Sequence, residues 1–348
     1  MRPRCAPRCC GCFRERLPEA GGAGLHSLQT PGRLMRFITH LAALCAVLLG
    51  ATAWAATGAP ACPPQAKPLS PELFSQAATQ ARDRGYLWRI TQGQHSSYLY
   101  GTMHVGRAAW MAPGPLTRQA LRETNVLGME LDPLDPAVGE GMAAVSRQPA
   151  RALPAALQAR LATRWLAECL DAQALGSGAP EMHAYSLMLA AGRREGLDAM
   201  YGTEVLLSVL ARSMARPVVS LESVAIQLQA LLARNDAEAQ AMVNDVLDDM
   251  DKGRVRTVLL RTAVAWERAD LADLENYVQW CECLNTEMDR VLMQRVLDDR
   301  NPGLAARIDE IHRSGSRLFA GVGALHMVGP GGLPALMAAR GYKVERLR

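Results

Sequence analysis

Several motifs that identify common catalytic classes are absent from this sequence of 348 residues. It has no Gly-x-Ser-x-Gly segment, which excludes the nucleophile elbow of the α/β-hydrolases. It has no Walker loop and no His-Glu-x-x-His helix, so neither a P-loop nucleotide site nor a zincin-type metal helix is predicted. No tandem repeat occurs at a fixed period. Because none of these compact motifs is present, the candidate catalytic residues must be sought at positions dispersed along the chain.

An apolar run long enough for a transmembrane helix is also missing. The apolar run over residues 41–49 is too short to span a bilayer comfortably. It follows Arg36 and precedes Ala53-Trp54-Ala55, the small-x-small pattern of a cleavage site. We therefore predict a signal peptide over residues 35–55 and an exported, periplasmic or secreted protein without a membrane span in its mature form. Residues 1–34 are interpreted as a mis-called upstream extension, with a basic cytoplasmic tail before an uncleaved anchor as the alternative.

The sequence has little excess charge outside that extension. The chain carries a formal charge of +4, and residues 1–34 alone, with six Arg and two Glu, account for all of it. Removing Arg36 with the signal peptide leaves a mature part close to −1. Nucleic-acid binding is therefore not expected.

Few cysteines remain in the mature part, namely Cys62, Cys169, Cys281 and Cys283. An exported protein can form disulfides. One residue between Cys281 and Cys283 is too tight a spacing for a usual zinc knuckle, so a structural bridge is favoured over a metal site. We expect Cys169 to pair with Cys281 or Cys283, which would leave Cys62 near the terminus. The connectivity itself cannot be deduced from sequence.

Two distant segments share one pattern, a β-type apolar run followed by Gly-x-x-His. Segment 97–106 contains Gly101 and His104, and segment 318–332 contains Gly323 and His326. Glycine at such a position allows a bend or the close approach of a ligand. Open α/β sheets place their sites at the carboxyl ends of strands. We therefore expect the two histidines to share one site, although more than two hundred residues separate them.

The pattern of the remaining chain predicts strands at both ends and helices between them. A hairpin is predicted over residues 86–91 and 98–104, followed by strands at 125–133, 217–222, 318–326 and 342–347. Residues 56–70 are interpreted as a linker, and 71–348 as one domain with a large helical insertion at about 148–300. This layout predicts an α/β (α+β) fold, with a mixed central sheet built from the N- and C-terminal segments.

Carboxylates follow two of the predicted strands. Glu130 ends one strand and Glu222 ends another. Imidazoles and carboxylates at one sheet edge are the donors of a divalent-metal site that would suit zinc, manganese, cobalt or iron. A bound ion would lower the pKa of water and polarise a carbonyl, while one carboxylate could act as general base. As structural alternatives, Glu130 could pair with an arginine, and Glu222 or Glu204 could simply begin a helix.

These residues resemble the TraB/GumN family, which includes the Tiki metalloproteases of animals. The resemblance rests on segment 99–106, on Glu130, on segments 322–333 and 340–344, and, less directly, on Leu221-Glu222-Ser223 and Arg300-Asn301. It implies a fold related to erythromycin esterase and to the ChaN-type haem-binding proteins. It also implies a metal-dependent hydrolase site that uses His104, Glu130 and His326. The chain departs from the family pattern at Leu325, where glycine is common, and at Gly331, where many members have Asp.

The resulting hypothesis is an exported metal-dependent hydrolase that acts on peptide bonds. His104 and His326 would bind manganese, cobalt or zinc, Glu130 would be a ligand or the general base, and Glu222 would be a further candidate ligand. The alternative is a non-catalytic periplasmic protein that binds a peptide, a small molecule or haem on the same strand ends. A structural helper of an export or polysaccharide complex is a third possibility.

Overall fold

The computed structural model describes residues 61–147 and 151–348. The predicted extension 1–34 and the predicted signal peptide 35–55 lie outside the described residues, and so do residues 56–60 of the linker.

In the part of the chain that the structure describes, six strands form one mixed sheet. Their bounds are β1 Tyr86–Gln92, β2 His95–Thr102, β3 Val126–Met129, β4 Val218–Ser220, β5 Leu318–Gly323 and β6 Lys343–Leu347. Their order in the sheet is β4-β3-β5-β2-β1-β6. Strands β4, β3, β5 and β2 are parallel, whereas β1 is antiparallel to both of its neighbours. The predicted mixed α/β fold is confirmed. The short strand β4 comes from within the helical insertion.

Helices make up most of the remaining structure. They are α1 Pro71–Ala78, α2 Pro115–Glu123, α3 Pro136–Ser146, α4 Ala155–Ala167, α5 Pro180–Ala190, α6 Thr203–Ser213, α7 Val224–Leu231, α8 Asp236–Asp251, α9 Arg254–Glu267, α10 Leu271–Glu275, α11 Tyr277–Trp280, α12 Glu287–Met293, α13 Asn301–Arg313 and α14 Leu333–Ala339. Among the described residues, none of these helices is both long and apolar enough to cross a bilayer.

The central strand β5 lies at the middle of the core. Its residues 318–322 are buried, and it pairs with β3 on one side and β2 on the other. Parallel strands that are covered on both faces carry continuous apolar side chains, as the segment Leu318–Gly323 does. The three neighbours β3, β5 and β2 therefore present their carboxyl ends at the same edge of the sheet.

Helix α6 begins against the end of β2. The amide of Thr203 donates to the carbonyl of Met103 over 2.9 Å, and the Thr203 hydroxyl accepts from the Met103 amide over 2.8 Å. Because Met103 bonds to Thr203 instead of to a strand, the ladder stops at Thr102, two residues before the predicted end. The first turn of α6 is thereby held next to His104.

The expected cysteine pairing is wrong. The bridges join Cys62 to Cys169 and Cys281 to Cys283. Cys62 reaches Cys169 because the segment before α1 lies along the domain surface. Arg194 Nη1 donates to the Ala61 carbonyl over 2.6 Å, and the Tyr201 hydroxyl bonds to both the amide and the carbonyl of Lys67. Residues 61–70 have no regular secondary structure, but they are attached to the domain.

Candidate functional site

His104, Glu130 and His326 meet at the carboxyl edge of the sheet, around Gly323. They follow β2, β3 and β5, three adjacent strands. A Cβ atom built on Gly323 would lie 3.2 Å from Glu130 Oε1, 3.4 Å from His326 Cδ2 and 4.0 Å from His104 Nε2. The three residues predicted from the strand ends therefore surround one small space, which any side chain at position 323 would partly fill.

The same glycine ends β5 earlier than predicted. The amide of Gly323 donates to Glu130 Oε1 over 2.7 Å. The chain then forms a 3-10 turn over Ala324–Met327, which contains His326. Because the carboxylate takes the place of a further strand partner, His326 lies on a turn that bends back over the site instead of on the strand.

His104 lies at the rim of the site and contacts a carboxylate. Its Nδ1 atom is 2.9 Å from Glu204 Oε1, and its side chain is 61% exposed, whereas that of Glu204 is only 16% exposed. The negative charge of Glu204 is the main cause that raises the pKa of His104 to about 9, and burial opposes it. This contact occupies Nδ1 and leaves Nε2 facing the space beside Gly323.

His326 is buried and is oriented by Asn301. Its Nδ1 atom lies 2.5 Å from Asn301 Oδ1, and Asn301 Nδ2 donates to the Gly331 carbonyl over 2.8 Å. Burial lowers the pKa of His326 to about 4, so the neutral ring donates from Nδ1 to the amide oxygen. The lone pair of His326 is then at Nε2, whereas His104 must first lose a proton before its Nε2 can bind an ion.

Arg300 places a buried positive charge among the strand-end acids. Its guanidinium bonds to Glu130 Oε2 and to both oxygens of Glu222, and its Nη1 lies 3.4 Å from His326 Nε2. The side chains of Arg300 and Glu222 are 6% and 4% exposed. Such carboxylates are costly to bury unless a cation compensates them. Glu222, predicted as a possible metal ligand, therefore belongs to the same cluster through Arg300.

The two acids respond differently to this environment. Burial alone would raise the pKa of Glu130, but its interactions with His326, Arg300 and His104 and the hydrogen bond from the Gly323 amide together lower it to about 2. Burial raises the pKa of Glu222, and the hydrogen bonds from Arg300 only partly offset that effect. Glu130 is thus the more firmly ionised of the two.

The donor set has the chemistry that a divalent metal needs. Histidines that bind metals usually donate the proton of their other ring nitrogen to an oxygen, which fixes the tautomer. Glu204 and Asn301 provide such oxygens for His104 and His326. Among the described residues, however, no group of three or more His, Cys, Asp or Glu is already arranged to hold an ion. A metal here would compete with the Arg300 guanidinium for Glu130.

The sequence did not predict the contacts that Arg300, Asn301 and Glu204 make in the site. Glu204 lies in the first turn of α6, as the alternative that it begins a helix predicts, and it also contacts His104. Arg300-Asn301 had entered only through the family resemblance. One signal was available, because two acids that end neighbouring buried strands require a compensating cation.

An open cleft of about 330 Å³ lies above the site. His104, Glu130, Glu204 and Gln227 line it together with apolar residues and glycines. The apolar members are Leu131, Pro133, Val138, Met142 and Val205, and the glycines are Gly139, Gly202 and Gly321. His104 and Glu130 are therefore accessible from the side on which α3 lies.

Comparison with protein families matches residues 86–346 to the family described as TraB/PrgY/gumN, which covers most of the chain. This match agrees with the resemblance inferred from the two Gly-x-x-His segments. No curated protein and no solved structure matches the chain.

Proposed function

Since the chain belongs to the TraB/PrgY/gumN family, we propose that it is an exported metal-dependent hydrolase that cleaves peptide bonds. The observation that carries the proposal is the convergence of His104 Nε2, Glu130 Oε1 and the His326 ring around Gly323. Two imidazoles and a carboxylate that approach one small space match the nitrogen and oxygen donors of manganese, cobalt or zinc.

The chain's own residues would prepare this site for a metal ion and a substrate. Glu204 and Asn301 contact the Nδ1 atoms and so orient the two imidazoles. A metal would take the place of the proton on His104 Nε2 and of the Arg300 contact on His326 Nε2. The Gly323 amide holds one oxygen of Glu130 in place. A bound divalent ion would supply a Lewis acid that polarises the scissile carbonyl. The cleft beside α3 admits the substrate to this edge of the sheet.

Export is part of the proposal. It is supported by the charged, apolar and small-x-small segments of residues 35–55. The disulfides Cys62–Cys169 and Cys281–Cys283 also support it, because disulfides persist in oxidising compartments. Determination of the N-terminal residue of the secreted or periplasmic protein tests this part. A mature chain that begins close after Ala55 is expected, and a chain that retains residues 35–55 would contradict it.

The central test measures metal content and peptide cleavage together. His104→Ala and His326→Ala should each lower the bound metal per chain and abolish cleavage of a peptide mixture, as read by mass spectrometry. His183→Ala is the matched control, since His183 lies on α5, outside the site. Unchanged metal stoichiometry in both site variants would refute the proposal. A porphyrin bound by the wild-type protein without any cleavage would favour the ligand-binding alternative.

Glu130→Gln separates the two roles open to this residue. The amide keeps an oxygen near the imidazoles but is not a base. Metal retained with activity lost would assign Glu130 as the general base, and metal lost would assign it as a ligand.

A further inference from the structure

Helix α3 contains a glycine that its surroundings do not require. Gly139 lies in the interior of Pro136–Ser146, where glycine costs about 0.5–1 kcal/mol relative to alanine. A Cβ atom at position 139 would have no heavy atom within 4 Å, and the φ angle of Gly139 is not positive. Gly141 on the same helix differs, because a Cβ there would lie 3.1 Å from Val224. Packing therefore explains Gly141 but not Gly139.

Gly139 lines the cleft that contains His104 and Glu130. Val138 and Met142, four positions apart and so on one face of α3, line the same cleft. Leu131 and Val205 contribute further apolar surface. Because Gly139 is exposed and lines the cleft, a side chain at position 139 would stand at the cleft opening and would displace no neighbour.

The charged residues that line the cleft are already paired with other residues of the protein. They are His104, Glu130 and Glu204, of which His104 contacts Glu204 and Glu130 bonds to Arg300. The one other polar side chain is that of Gln227, whose Nε2 atom donates to Glu222 Oε1 over 3.4 Å. Burying a charge without a partner is costly, whereas burying apolar surface is favourable.

We propose that Gly139 is a specificity-determining residue, which keeps the cleft open for one bulky uncharged side chain of a peptide substrate beside the bond to be cleaved. The proposal rests on the proposed function, because it takes the substrate to be a peptide. The volume of about 330 Å³ lies at the lower end of the range of about 300–1,000 Å³ for ligand pockets, which suits a single large side chain. Glycine at position 139 makes helix α3 less stable than alanine would, but it leaves more room in the cleft.

Three alanine-rich peptides of equal length, with Phe, Asp or Ala at the centre, provide the probes. Binding is measured by calorimetry on the chelator-treated protein, so that cleavage does not interfere, and cleavage is measured by mass spectrometry after metal is added. The variant is Gly139→Leu. The matched control is Gly303→Leu, because Gly303 also lies in a helix, has nothing within 4 Å of its Cβ position and does not line the cleft.

The wild-type protein should bind the Phe peptide at least tenfold more tightly than the Asp peptide. Gly139→Leu should lower the affinity for the Phe peptide at least tenfold and change the affinity for the Ala peptide less than twofold. Gly303→Leu should change neither affinity. Thermal unfolding should show that Gly139→Leu is no less stable than the wild type.

The two proposals fail in different ways. Cleavage of all three peptides at equal rates, or an equal loss for every peptide in Gly139→Leu, would overturn the role of Gly139 and leave the hydrolase intact. A different result would refute the hydrolase and support the role of Gly139. In that case the wild-type protein binds the Phe peptide selectively and Gly139→Leu abolishes this binding, but no metal-loaded protein cleaves any peptide. No binding of any peptide would overturn the role of Gly139.

Discussion

The Nδ1 atom of His104 lies 2.9 Å from Oε1 of Glu204, although one hundred residues separate the two along the chain. The contact exists because Thr203 bonds to Met103 in both directions and so places the first turn of α6 at the end of β2. The exposed ring of His104 thereby obtains a fixed orientation, with Nε2 toward Glu130 and His326.

Glu204→Gln should weaken divalent-metal binding by about 10- to 100-fold, the usual cost of losing a carboxylate that orients a metal-binding histidine. The amide cannot hold the Nδ1 proton as firmly, so His104 samples other orientations. Titration calorimetry with manganese and zinc measures the change. Glu123→Gln is the control, because Glu123 bonds to Tyr98 and Gln119, away from the site. Equal affinities in both variants would contradict this role for Glu204.

Arg300→Gln should lower the free energy of unfolding by about 3–5 kcal/mol at neutral pH, because it leaves Glu130 and Glu222 buried without their cation. Urea denaturation in the presence of a chelator measures this loss, and the chelator prevents a metal from replacing the guanidinium. The double variant Arg300→Gln/Glu222→Gln should recover part of the loss, since one of the two uncompensated charges is then gone. A double variant less stable than Arg300→Gln would contradict this account.

The two disulfides should differ in their contribution to stability. Loop-closure entropy grows with loop length, and the Cys62–Cys169 bridge closes a separation of 107 residues, whereas Cys281–Cys283 closes one of 2. Replacing both Cys62 and Cys169 by alanine should cost about 2–4 kcal/mol. The corresponding pair of changes at Cys281 and Cys283 should cost less. Urea denaturation compares the two double variants, and equal losses would argue against the entropic explanation.

His312 should make the fold sensitive to acid. Its Nδ1 lies 2.8 Å from the Ser97 hydroxyl, its Nε2 donates to the Gln92 carbonyl over 3.1 Å, and the His95 ring stacks on it at 4.1 Å. Burial lowers the pKa of His312 below its ordinary value of 6.5, and the charges of His95 and Arg313 act in the same direction against that of Asp309.

The sign follows from linkage. The unfolded chain takes up a proton on His312 at a higher pH than the folded chain does, so the stability that neutral His312 contributes is complete above about pH 6.5 and is lost as the pH falls below that value. Urea denaturation between pH 7.5 and pH 5 should show a smaller decline in His312→Gln than in the wild type. Identical declines would show that His312 does not contribute.

Much of the site could be predicted because local patterns carry it. A strand that is buried on both faces has continuous apolar residues, and a polar residue just beyond its end lies at the sheet edge. His104, Glu130 and His326 each obey this rule, and the repeated Gly-x-x-His pattern indicated that two of them belong together. The strand ends were predicted two or three residues too long at His104 and His326, because side chains and turns took over the last backbone hydrogen bonds.

The sequence by itself determined the mixed α/β class, most strands and helices, and the polar residues that follow β2, β3 and β5, because periodicity and turn residues act over a few neighbours. Only the tertiary structure decided that Glu204 contacts His104, that Arg300 pairs with both Glu130 and Glu222, and that Cys62 pairs with Cys169. Each of these contacts joins residues that lie about 80 to 170 positions apart. Such partners are chosen by how the helical insertion folds back on the sheet, which no local pattern of residues encodes.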